Sequence, residues 1–73
     1  MGVFTMTVIQ LQERAAEEAE AARAIKDKAD QETRGMTAEE ALKFDQHLKE
    51  SERIEAEANR QEELEAIEKR LNE

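Results

Sequence analysis

Cysteine, proline, tryptophan and tyrosine are all missing from this 73-residue chain. Without cysteine there is neither a disulfide framework nor a thiolate metal site, and the redox compartment stays open, with the cytosol as default. Without proline nothing in the sequence breaks a helix from within. Glycine occurs only at Gly2 and Gly35, and the two phenylalanines are the only aromatics. Bulky apolar side chains are also scarce. After Gln12 they are Ile25, Met36, Leu42, Phe44, Leu48, Ile54, Leu64, Ile67 and Leu71. A chain this short is at most one small domain, and so thin a core is marginal on its own. Self-association, or attachment to a larger body, is therefore expected. No apolar run approaches the length of a membrane span. Met1–Ile9 is apolar but lacks the basic start and small-residue cleavage site of a signal peptide, and Met6 stands where myristoylation of Gly2 wants Ser or Thr.

What the chain does have is charge. Charged residues make up 41% of it and the net charge is −8. The acidity is concentrated from Gly35 onward, with twelve acids against six bases, compared with seven against five before it. Nucleic acid and anionic membranes both require a basic patch, so neither is expected as a partner. High charge and few aromatics are also the composition of disorder. Against that, Ala, Glu, Lys, Leu, Arg and Gln dominate, and these are strong helix formers.

Two capping boxes punctuate the chain. Thr7-Val8-Ile9-Gln10 and Thr37-Ala38-Glu39-Glu40 each place a threonine three residues before a side chain able to reach back to the threonine N–H. Met6 and Leu11 flank the first box as a hydrophobic staple. Gly35 suits the left-handed position just past a helix C-terminus. The pattern predicts an all-α antiparallel helical hairpin that oligomerises: an apolar arm over residues 1–6, then a hairpin over 7–73. In that hairpin, helix 1 spans about 8–34, the turn 35–37 and helix 2 about 38–71. The heptad seam of helix 1 is Val8, Leu11, Ala15, Glu18, Ala22, Ile25, Ala29 and Glu32. That of helix 2 is Ala41, Phe44, Leu48, Ser51, Ile54, Ala58, Gln61, Leu64, Ile67 and Leu71. Counting outward from Gly35 sets Ile25 opposite Phe44 and Leu48, Ala22 near Ser51, Ala15 near Ala58, Leu11 near Gln61 and Val8 near Leu64. Helix 2 outruns helix 1, leaving Ile67 and Leu71 to be covered by the Val3–Phe4 arm or by another chain. The pairs Asp30–Arg34, Glu39–Lys43, Asp45–Lys49 and Glu65–Lys69 have the favourable i,i+4 order. The competing architecture is one continuous rod pairing with its own copies, which a glycine between two helix signals disfavours.

No catalytic, cofactor-binding or metal-binding constellation is present in the pattern. The lone His47 has Phe44 three residues before it, so the Glu-x-x-His arrangement of di-iron bundles is missing, and it reads as a solvated flanking residue. Glu17-Glu18, Glu39-Glu40 and Glu62-Glu63 lack the spacing of a calcium loop and read as solvated helix faces. Thr37 reads as a cap and not as a phosphosite. With no nucleophile–base pair and no phosphate-cradling loop, an enzyme is not expected.

The run Arg34-Gly35-Met36-Thr37-Ala38-Glu39-Glu40-Ala41-Leu42-Lys43-Phe44-Asp45 resembles the R-x-(L/M)-T-x-E-E-x-x-x-F-D signature found early in many tailed-bacteriophage major capsid proteins of the Hong Kong 97-type fold. As in that family, an Ala/Glu/Arg-rich helix precedes it, and a long helix carrying Glu62-Glu63-Leu64-Glu65-Ala66 follows. The resemblance covers about Leu11 to Leu71. It implies the N-terminal scaffolding, or delta, domain, which lies inside the procapsid in the host cytoplasm and guides assembly of shell-forming subunits. That domain is commonly removed by a maturation protease. The sequence stops where a shell-forming domain begins in that family, so the resemblance implies a scaffolding segment and not a shell. Partners implied are copies of itself, shell-forming subunits and the protease. The alternative is a free-standing acidic coiled-coil adaptor or regulatory module.

Overall fold

Each threonine box opens a helix. The computed structural model describes residues 6–72, in which α1 (Val8–Gln31) is capped by Thr7 and α2 (Ala38–Leu71) by Thr37. Among the described residues there is no strand. The apolar arm, except Met6, and Glu73 lie outside the described residues, as does the suggested cover by Val3 and Phe4. As residue numbers rise along α1 from Ala15 to Glu18, their partners on α2 fall from Ser51 to His47, so the two helices pack antiparallel. The molecule measures 57 × 28 × 15 Å. Its longest dimension is close to that of α2 itself, about 50 Å at about 1.5 Å per residue.

The end of α1 departs from expectation. The helix stops at Gln31, three residues short of Arg34. Thr33, not Gly35, takes the left-handed conformation, with φ 52°, and Gly35 has no positive φ. The Thr33 N–H donates to the Asp30 carbonyl at 3.0 Å and the Arg34 N–H to the Ala29 carbonyl at 3.1 Å. These two bonds form a Schellman motif, which satisfies the last carbonyls of the helix. A β-branched residue in this region is sterically strained. Such strain persists only where the surroundings over-determine it, and here they do so through Arg34, described below.

Burial follows the predicted face of α1. Leu11, Ala15, Ala22 and Ala29 are buried, with Val8, Glu18 and Ile25 half-buried, while Glu32 is exposed. On α2 the buried residues are Ser51, Ile54 and Ala58. Leu11, Ala15, Ile54 and Ala58 form one apolar cluster, and Met6 and Val8 pack against it. Alanine at the contact lets the helices approach closely but contributes little area, and each fully buried Leu or Ile adds about 1.5–3 kcal/mol. The firm part of the core is therefore at the open end of the hairpin and not at the turn, where the large side chains were expected to meet.

The register also differs. Ser51 lies against Ala15 and not Ala22, and Ile54 and Ala58 share a cluster with Leu11 and Val8. The displacement is seven residues, one heptad. A heptad slide brings the same face of each helix back to the contact, so the predicted faces are right while Ser51 and Val8 meet other partners than predicted. Ala15 and Ala58 still share the apolar cluster, but the expected contact of Val8 with Leu64 is lost, and Val8 packs on that cluster instead.

Candidate functional site

Three features of the hairpin stand out: the turn, a pair of polar rungs between the helices, and the exposed end of α2. At the turn, Thr37 Oγ1 accepts from the Glu40 N–H at 3.1 Å, and Glu40 Oε1 accepts from the Thr37 N–H at 3.0 Å. The first box is closed in the same way, with Thr7 Oγ1 accepting from the Gln10 N–H at 3.1 Å and Gln10 Oε1 accepting from the Thr7 N–H at 2.9 Å. Glu40 has a second role. Arg34 Nη1 and Nη2 donate to Glu40 Oε1 and Oε2 at 2.6 and 3.1 Å, a bidentate fork. Arg34 Nε also reaches Glu32 at 3.3 Å, and Nη1 reaches the Gly35 carbonyl at 3.1 Å. One guanidinium thus ties the end of α1 to the start of α2. The Arg34 hydrogen bonds, then the Thr37 N–H, hold the Glu40 carboxyl down at about 2 against an ordinary 4.5. The same carboxylates raise the Arg34 guanidinium. Arg34 is therefore not the i,i+4 partner of Asp30, which pairs with Lys26 instead at 2.6 Å.

Away from the turn, Ser51 Oγ donates to the Ala15 carbonyl at 2.7 Å in a buried position. One turn along, His47 Nδ1 lies 2.6 Å from Glu18 Oε2 across the helix interface. His47 is thus a contact residue, not a solvated flanking one. The Ser51 rung adjoins the Leu11–Ala15–Ile54–Ala58 cluster, and the His47 rung lies one turn nearer the turn of the hairpin. Their sequence signal was present, since Ser51 and His47 are four apart on one face. What was missing was the register that brings Ala15 and Glu18 to meet them. Of the expected i,i+4 pairs, Glu39–Lys43 closes at 3.5 Å. Arg23–Asp27 and Lys26–Asp30 form on α1, at 3.0 and 2.6 Å.

The remaining interface residues divide in two. Val8, Leu11, Ala15, Ala22, Ile25, Phe44, Leu48, Ile54 and Ala58 are buried or half-buried along the hairpin. Leu64, Ile67 and Leu71 are not: they are 56%, 37% and 78% exposed. Because of the heptad slide, Met6 lies near Gln61 in a shared groove, and residues 62–71 extend beyond α1 by about 15 Å. The bare residues also do not continue the seam. At 3.5–3.6 residues per turn, Leu64, Ile67 and Leu71 are rotated roughly 100–140° from Ser51, Ile54 and Ala58. A longer α1 lying in the same seam would meet Gln61, Glu65 and Glu68 instead.

Among the described residues no group of three His, Cys, Asp or Glu side chains is arranged to hold a metal ion, and no helix is long and apolar enough to cross a membrane. Comparison of the chain with family models, with characterised proteins and with solved structures returns no match.

Proposed function

We propose that this chain is a non-enzymatic assembly module, the scaffolding segment of a tailed-phage capsid precursor. One observation carries the assembly role. A hairpin clamped at its turn projects residues 62–71 of α2 as a helix with three bulky apolar residues and no α1 beside it. The capsid setting rests on the resemblance over Arg34–Asp45, whose Arg34, Thr37 and Glu40 are the turn clamp itself. In this reading the partners are copies of the chain and shell-forming subunits, inside an assembling procapsid in the host cytoplasm. Neither nucleic acid nor membrane is a partner. Many copies at −8 each in a closed shell repel incoming DNA, which gives removal by a maturation protease a physical purpose.

The test is assembly of the shell-forming protein encoded beside this segment, with and without it. Closed shells of uniform size are expected only with the segment present. Equal yields of uniform shells without it would refute the reading. Capture of a globular partner unrelated to any shell would favour the adaptor alternative.

A further inference from the structure

Beside the bare end of α2 lies a groove that is its complement. Between α1 and α2, at the open end of the hairpin, Met6, Leu11 and Ile54 floor a groove of about 250 Å³ walled by Arg14 and Arg53. It runs into the shallower groove beside Leu64, with Glu57 and Gln61 lining both. Leu64 and the groove therefore share one continuous side of the molecule. Among the described residues none can fill it, since a rigid helix cannot fold back onto a groove at its own base; a second chain can.

Charge narrows the choice. Residues 62–71 carry four acids, Glu62, Glu63, Glu65 and Glu68, against Lys69 and Arg70. The groove holds Arg14 and Arg53 beside Glu57; Arg53 already pairs with Glu50 and Glu57, whereas among the described residues Arg14 has no ion-pair partner, so Arg14 is the charge left for an acidic segment to meet. We propose that residues 62–71 of one copy seat in the Met6–Leu11–Ile54 groove of a second copy, and that the second copy returns the contact. The pairing is isologous, so one twofold axis fills both grooves and covers both ends. The two α2 helices run antiparallel about a point near Arg60. Leu64 then lies towards Met6 of the second copy, Ile67 against its Leu11 and Ile54, and Leu71 beside its Arg14. Glu68 comes within reach of Arg14 and Arg53 of that copy. The contact spans about 30 Å of paired helix at about 1.5 Å per residue. This deepens the assembly reading above and rests on it only for self-association.

The chain has no cysteine, so single cysteines report the pairing without background. Leu71 and Arg14 are exposed, and replacing either leaves the hairpin core intact. An equimolar mixture of Arg14→Cys and Leu71→Cys is expected to form a disulfide-linked heterodimer under mild oxidation, faster than either variant alone. Ile67→Cys alone is expected to stay unlinked, since the two copies of residue 67 stand about 20 Å apart and a disulfide needs Cα atoms within about 7 Å. Efficient self-linking of Ile67→Cys would show end-on-end pairing and overturn the proposal. So would equal rates for the mixture and the single variants. Sedimentation equilibrium gives the second readout: Leu64→Glu with Ile67→Glu is expected to weaken association at least about tenfold, and an unchanged constant would overturn the groove. A chain that stays monomeric yet still promotes shell closure refutes this pairing and leaves the scaffolding role standing. Correct cross-links with shells that close equally well without the segment would do the reverse.

Discussion

Thr33 and Gly35 give opposite answers to the same question, and a pair of substitutions separates them. Thr33 occupies the left-handed position of the Schellman motif with φ 52°. A left-handed conformation costs an L-residue about 1–2 kcal/mol, most of all when it is β-branched. Thr33→Gly removes that strain but gives the unfolded chain more freedom, which takes back about 0.4–1 kcal/mol. The expected net gain is about 0.5–1 kcal/mol. Gly35 has no positive φ, and a Cβ built on it meets nothing within 4 Å. Gly35→Ala should therefore also stabilise, by about 0.4–1 kcal/mol, through the unfolded state alone. For a domain of this size about 1 kcal/mol corresponds to about 4–8 °C, so each variant should raise the midpoint by about 2–8 °C. Thermal unfolding followed by far-ultraviolet circular dichroism, at one fixed protein concentration because association shifts the midpoint, reads both. If Gly35→Ala loses stability while Thr33→Gly is neutral, the helix ends where its glycine first suggested, and the register argument fails with it.

Other consequences are more local. Ser51→Ala deletes the buried bond to the Ala15 carbonyl. It should cost about 1 kcal/mol for the bond, of which about half returns through alanine's higher helix propensity, as read by urea unfolding. Ala58 is fully buried, so Ala58→Leu should overpack the seam and cost about 1–3 kcal/mol by the same measurement. Glu40 is held at about 2 from an ordinary 4.5 by Arg34 and the Thr37 N–H. Because its folded value is depressed, its contribution is complete above 4.5 and is lost as pH falls towards 2. Wild type should therefore lose stability across that window relative to Glu40→Gln, and parallel pH profiles would exclude the clamp. Among the described residues ten of the 58 in helix lie beyond α1, and short unsupported helix is marginal in water. Circular dichroism should therefore show up to about a sixth of the helical signal fading on dilution, and a signal independent of concentration would argue against docking of that end.

The helices and their inward faces were legible in the sequence because both depend on local rules. Thr7–Gln10 and Thr37–Glu40 mark the two starts by chemistry confined to four residues. The alternation of Leu11, Ala15, Ala22 and Ala29 marks a face by the helical period alone. The end of α1 was not legible. Glycine is the usual left-handed residue, and nothing local in Thr33 signals that it will take that role. What decides it is the fork from Arg34 to Glu40, a contact between residues on opposite sides of the turn. The register then followed the wrong turn centre, and a seven-residue repeat cannot reveal a seven-residue error. His47 and Ser51 were visible as neighbours on one face, but their partners Glu18 and Ala15 belong to the register and were hidden with it.

These two hidden facts are connected, and together they set how much of the molecule is left to bind. In the expected register Val8 would have met Leu64, and only Ile67 and Leu71 would have extended beyond α1. Closing α1 at Thr33 and fastening Arg34 to Glu40 goes with pairing one heptad further back along α2. That places Val8 in the cluster with Ile54 and Ala58, and bares Leu64 as well. It also opens the groove over Met6, Leu11 and Ile54 on the side to which Leu64 turns. A strained threonine is an odd choice for stability, since glycine would serve the same turn at lower cost. Its strain is held by a clamp whose consequence lies at the opposite end of the hairpin, where an apolar helix end and a groove holding Arg14 are left with no partner among the described residues.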